Sequence, residues 1–201
     1  MAMTALGNGL SAVNKHEDAL VVKEAELAML RRIGAKEESV LVTQSNIANT
    51  YAILGQLDRA LSMQRDVYFG TLRVHGEEYG GTMLETNNYA GILGGLGRFE
   101  ETKSLTRKAI PISRRVLGEG HHLTLKMRSI YAVALWRDDG ATLDDLREAV
   151  STLEDAGRIA QRVFGGAHPL TLRAESNLRN ARAALAAREG DLCEALRKAE
   201  V

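Results

Sequence analysis

The sequence predicts an all-α solenoid of antiparallel helix pairs, and three observations predict it. A linker recurs: Leu117 to Leu125 reads L-G-E-G-H-H-L-T-L and Phe164 to Leu172 reads F-G-G-A-H-P-L-T-L, with weaker copies from His75 to Met83 and from Ile33 to Leu41. Its spacing is regular, since Gly34, Gly76 and Gly118 fall 42 residues apart and Gly165 follows after 47. Between linkers, apolar residues return at helical period in two blocks parted by a glycine. A fixed internal period of this length marks a repeat array, in which each unit buries its apolar face only by stacking on its neighbours. The expectation is one solenoid over residues 1–201. A partial repeat at 1–33 leads to repeats at 34–75, 76–117 and 118–164, and a capping unit at 165–201 follows.

Composition sets the outer limits. The chain has 201 residues, 45% hydrophobic and 26% charged, which is ordinary for a folded domain and argues against disorder. Lys plus Arg and Asp plus Glu number 26 each, so no global field draws the chain to nucleic acid or to an anionic membrane. One cysteine, Cys193, rules out an internal disulfide framework and suits a reducing, cytoplasmic setting. No run of 18 apolar residues occurs, so no membrane insertion is expected.

Taken in order, Leu6 to Leu20 aligns with Ile47 to Leu61, which places the start of the chain inside the first helix of a repeat lacking its beginning. In the second repeat, Ile47, Ala48, Tyr51 and Leu54 share one side of a helix, and Gly55 ends it in the left-handed conformation open to glycine. A second helix runs from about Leu57 to Arg73, with Ala60, Leu61, Met63, Val67 and Leu72 apolar, and Gly76 is expected to close it the same way. The third repeat keeps Tyr89, Ala90, Leu93 and Leu96, but Gly91, Gly94 and Gly95 weaken its first helix by about 0.8 to 1 kcal/mol each. Pro111 predicts a kink near 107–111. The fourth repeat keeps Tyr131, Ala132 and Leu135, then inserts five residues around Asp138 to Thr142. Thr142 with Asp145 reads as a capping box restarting the chain at about Leu143. Pro169 opens the last repeat, whose Arg179 and Arg182 replace core residues, as a solvent-facing end requires. Gly190 to Leu196 echoes Gly55 to Leu61 and predicts a turn with a short final helix.

Ala48, Tyr51, Gly55 and Ala60 resemble the small, aromatic, turn-glycine and alanine positions of a tetratricopeptide repeat. The 42-residue period, the linker from Phe164 to Leu172, and Asn46-Ile47-Ala48 and Asn87-Asn88-Tyr89-Ala90 resemble the repeats of kinesin light chain. That resemblance implies a right-handed superhelix whose first helices line a groove for an extended peptide, with signature asparagines holding the peptide backbone. Asn46, Asn88 and Asn177 match the signature position, Asn49 and Asn180 stand one turn on, and Asn87 is adjacent, while Ile130 interrupts the ladder. The family's heptad segment for heavy-chain binding is absent from this sequence.

A carboxamide offers both a donor and an acceptor, so it can hold a backbone regardless of side chains, or equally bridge neighbouring helices. On the same stripe Val42, Leu84, Lys126 and Arg173 stand one turn earlier, and Ile53, Gly95, Arg137 and Ala184 stand later. The first half is thus apolar and amide and the second basic, which points to an acidic ligand held by Lys126, Arg137 and Arg173. Trp136 stands beside this stripe, either as an aromatic anchor for a ligand or, as the favoured reading, packing under the insertion loop. His121, His122 and His168 follow the repeat and lack the partners of a metal site, Cys193 has no nearby base, and the glycines from Gly91 to Gly97 lack a phosphate loop's ending. No enzyme activity and no cofactor is expected. The reading is a scaffold for a protein or peptide partner. Its alternatives are a structural subunit working through its ends or outer face, and the regulatory array of a larger protein.

Overall fold

The computed structural model describes residues 2–199, with side chains described except at 194–196, 198 and 199. All regular structure among them is helical. The chain divides into two compact units, Met1–Leu96 and Gly97–Val201. The first holds α1 (Ala2–Ala12), α2 (His16–Arg32), α3 (Glu37–Ile53), α4 (Leu57–His75) and α5 (Gly80–Gly95). The second holds α6 (Phe99–Leu117), α7 (His122–Arg137), α8 (Leu143–Phe164) and α9 (Pro169–Ala199). Within each unit consecutive helices pack on one another, and the short connections make such neighbours antiparallel. First helices of successive repeats also touch, α3 with α5 and α7 with α9. No helix among the described residues is long and apolar enough to cross a membrane.

The repeat positions fill the cores. Ile47 and Tyr51 of α3 cluster with Leu27 of α2, Ala60 of α4 and Ile92 of α5. In the second unit Tyr131, Ala132 and Leu135 are buried. The tyrosine also ties helices together: the Tyr131 hydroxyl donates to Glu148 of α8 at 2.7 Å and accepts from Arg107 of α6 at 2.9 Å. Tyr51 likewise donates to Glu24 of α2. Ala48, Ala90 and Ala132 are fully buried, because only a small side chain lets the helices approach so closely.

Glycine ends the helices in two ways rather than one. Gly55 (φ +74°) follows the cap of α3 and donates to Ala52 O at 3.2 Å while Gln56 N–H reaches Tyr51 O at 2.9 Å, the paired bonds of a left-handed cap. Gly76, Gly118 and Gly165 instead combine φ of +80° to +94° with ψ of 159° to 175°, an extended region open essentially to glycine alone. The expectation that Gly76 closes its helix as Gly55 does is therefore corrected. These glycines turn the chain out into the linker, where Thr82 and Thr171 donate back to the carbonyls of Gly76 and Gly165 at 2.7 and 2.8 Å. The corresponding threonine of the linker between them, Thr124, instead bonds the Ser113 hydroxyl of α6 at 2.7 Å.

Helix α5 forms in spite of its glycines because Ala90, Ile92 and Leu93 are buried against its neighbours. Helix α6 runs unbroken through Pro111, which lies on the exposed face, where water can take up the hydrogen bond that proline frees. The insertion forms the loop 138–142. Thr142 and Asp145 make the reciprocal capping box, with Asp145 N–H donating to Thr142 Oγ1 at 3.1 Å and Thr142 N–H to Asp145 Oδ2 at 2.9 Å. The Thr142 hydroxyl, which donates to Asp145 Oδ2 at 2.6 Å, and then the Thr142 N–H hold the Asp145 carboxyl below the usual carboxylate range. Thr142→Ala is expected to cost about 1 kcal/mol in a urea unfolding experiment, and Thr142→Ser much less. The loop also packs on the last helix, since Arg188 donates to Ala141 O at 3.1 Å.

The last helix differs from expectation. No turn occurs at Gly190, and α9 continues to Ala199. The predicted cap face is present, with Arg179 and Arg182 exposed and Arg182 paired to Glu154 at 2.7 Å.

Candidate ligand-binding surfaces

In the first unit, the adjacent helices α3 and α5 present one outward stripe. Val42 (58% exposed), Ile53 (61%) and Leu84 (42%) lie on it, around the half-buried Asn46, Asn49 and Asn88 and the exposed Gly91 and Gly95. Asn46 and Asn49 make no side-chain hydrogen bond among the described residues, so both carboxamides can serve a ligand. Asn88 differs, since its Nδ2 lies 3.4 Å from Glu85 Oε2. That buried oxygen also accepts from Ser45 of α3 at 2.8 Å and Gln64 of α4 at 2.6 Å. Glu85 thus ties three helices beneath the stripe. Asn87, one residue and about 100° away from Asn88, is only 9% exposed and its Oδ1 has no hydrogen-bond partner among the described residues. It does not share the outward stripe.

In the second unit, Lys126 of α7 and Arg173 of α9 line one cleft of about 690 Å³, together with His122, Phe164, His168, Pro169 and Leu170. No carboxylate is among these residues. Neither Lys126 nor Arg173 has an ion-pair partner among the described residues. Arg128, two residues from Lys126, is different: it is buried, paired with Asp155 and 3.6 Å from Glu119, and it holds the Asp155 carboxyl below its ordinary range. The protein therefore satisfies one cation of α7 internally and leaves the other open. Arg137 is not at the cleft; its guanidinium lies 5.6 Å from the centre of the Phe99 ring, near the far end of α7. Asn177 is half-buried and Asn180 exposed on α9, beyond the cleft, and Ile130 is half-buried on α7 between its two ends.

The histidines have two tasks. His121 Nδ1 accepts from Leu123 N–H at 3.3 Å, and His168 Nδ1 accepts from Leu170 N–H at 3.2 Å, so each histidine caps the helix that follows its linker. An accepting Nδ1 places the imidazole proton on Nε2, leaving His168 a donor there. Its ring stacks on Phe164 at 4.7 Å. His122, the first residue of α7, is pushed below its usual value of 6.5 by burial first and then by His121 and Lys126. Both α7 and α9 begin at the cleft, so the positive ends of two helix dipoles add to its cations. The surroundings are strongly cationic and suit an anion. Sequence reasoning found Lys126 and Arg173 here and missed His122, Phe164 and His168, whose signal was the recurring linker itself.

Trp136 is half-buried and its indole N–H has no acceptor among the described residues. Among those residues, no group of three or more His, Cys, Asp or Glu is placed to hold a metal ion.

Residues 40–78 and 86–123 match a tetratricopeptide repeat family model. Among solved structures, the chain is similar to a Podosopora anserina protein with nearly identical kinesin-light-chain, tetratricopeptide-like repeats. A point variant of that protein superposes with a TM-score of 0.77 at 20% identity, covering 98% of this chain and 92% of the other. A second structure of the same repeats gives 0.75 at 20% identity with the same coverage. BtubC (BKLC) from P. vanneervenii gives 0.68 at 17% identity, over 94% of this chain and 80% of that one. No curated protein matches the chain in sequence. Residues 40–78 and 86–123 thus match tetratricopeptide repeats, and the chain as a whole shares the fold of these kinesin-light-chain-like repeat structures.

Proposed function

We propose that the chain is a protein-interaction scaffold that binds an extended, acidic segment of a partner on the outward faces of its first helices. The observation that carries this reading is the cleft between α7 and α9, where, among the described residues, Lys126 and Arg173 stand without counter-ions and no carboxylate lines the cleft. A half-buried cation without a partner, as Lys126 is, is unfavourable, and a ligand carboxylate supplies the missing charge. Asn46 and Asn49 offer donor and acceptor pairs suited to a peptide backbone, and the apolar Val42, Ile53 and Leu84 around them suit apolar side chains.

The test is a screen of the immobilised chain against an unbiased peptide library, beside Asn46→Ala/Asn88→Ala and Lys126→Glu/Arg173→Glu variants. Enrichment of acidic peptides that the charge reversal abolishes, with helicity unchanged, is the expected result. Binding indifferent to both double variants overturns the reading.

A pH dependence follows from His122. An anion in the cleft favours the charged imidazole, whose pKa is lowered in the free protein, so binding takes up a proton. Affinity for an Asp/Glu peptide is therefore expected to rise as pH falls from about 7.5 to about 5.5, a range in which carboxylates of pKa about 4 stay ionised. The share due to His122 is the part of the rise that His122→Gln removes in parallel titrations.

A further inference from the structure

The charge count in the cleft asks for more than one carboxylate. Lys126 and Arg173 are two permanent cations on facing helices, both without ion-pair partners among the described residues. His168 adds an Nε2–H donor, because its Nδ1 is engaged by Leu170 N–H. The starts of α7 and α9 contribute two positive helix ends at the same place. A single ligand carboxylate neutralises one of the two cations and leaves the other unpaired, whereas a phosphate monoester brings a charge of about −1.5 to −2 and three acceptor oxygens. The Arg173 fork and the Lys126 ammonium can share those oxygens, and the apolar wall of Phe164, Pro169 and Leu170 can take the carbon chain that carries the phosphate.

We propose that the cleft between α7 and α9 is a phosphate-binding site that receives a phosphorylated serine or threonine of the bound segment. The inference rests on the reading that this cleft takes an acidic segment, and it names which acid. His122 sits at the edge of the same charge balance: burial, His121 and Lys126 all disfavour its proton, and a bound dianion would restore it.

The experiment compares four degenerate peptide libraries on the full chain, identical except for one fixed position holding serine, phosphoserine, glutamate or an Asp-Glu pair. The phosphoserine library is expected to be retained about tenfold more strongly than either acidic library, as charge-assisted bonds to a dianion imply. That preference should disappear in Lys126→Gln and in Arg173→Gln and persist in Arg137→Gln, with circular dichroism showing the fold retained in all three. Equal retention of the glutamate or Asp-Glu libraries overturns the phosphate assignment and leaves the acidic-segment reading standing. Retention of none of the four overturns both. Inorganic phosphate and vesicles bearing phosphoinositides are run as competitors. Displacement by either at concentrations below that of the phosphopeptide assigns the site to a free or lipid phosphate and overturns the peptide source.

Discussion

Lys126→Glu/Arg173→Glu is expected to lower the affinity for an acidic peptide about 100-fold while leaving helicity and unfolding midpoint near those of the unmodified chain. Each reversal replaces an attraction by a repulsion of similar size. With one half-buried and one exposed group in a solvent-screened cleft, that change is worth about 1 to 2 kcal/mol per site, and the two sum to about two powers of ten. Folding is spared because neither side chain has an ion pair to lose among the described residues. The matched control is Arg128, whose charge is spent on Asp155 and Glu119 inside the protein. Isothermal titration with a peptide from the screen, at two salt concentrations, reads the effect; a loss under about threefold would contradict the cleft as the anchor.

Ile47→Ala is expected to cost about 2 to 5 kcal/mol of unfolding free energy, the largest stability effect of any change considered. Ile47 is fully buried and belongs to a cluster drawn from α2, α3, α4 and α5, so the cavity opens among four helices at once. A repeat array has no second core to absorb such a loss, because each unit is held only by its neighbours. Urea denaturation followed by circular dichroism measures it, and a change below about 1 kcal/mol would show that the cluster repacks freely.

Most of the scaffold was legible because local rules and tertiary packing agree. The linker period, the buried Ile47, Ala48 and Tyr51, the capping box of Thr142 and the start of α9 at Pro169 each follow from a few neighbouring residues. Where those rules failed, the context was larger. Gly190 does not turn the chain because it follows Ala183, Ala184, Leu185, Ala186 and Ala187, among the best helix formers, and one exposed glycine costs only about 1 kcal/mol against that run. Gly76 and Gly55 look alike in sequence, yet one turns the chain into an extended linker and the other into a tight reversal, which depends on how many residues remain before the next helix. Adjacent residues on a helix face different ways, so Asn87 and Asn88 separate into a buried and an outward amide. The cleft was half visible. Its cations fell on a stripe that helical spacing reveals, but His122, Phe164 and His168 join it only because first helices of successive repeats lie side by side.

The most direct measurement is nuclear magnetic resonance of the isotopically labelled full chain titrated with an acidic peptide carrying a nitroxide label. A peptide anchored in the cleft broadens the amides of His122, Lys126, Leu170 and Arg173 first and leaves the exposed residues Ser151 and Arg158 of α8 sharp. Broadening centred on Ser151 and Arg158, with the four cleft amides unchanged, would contradict the account.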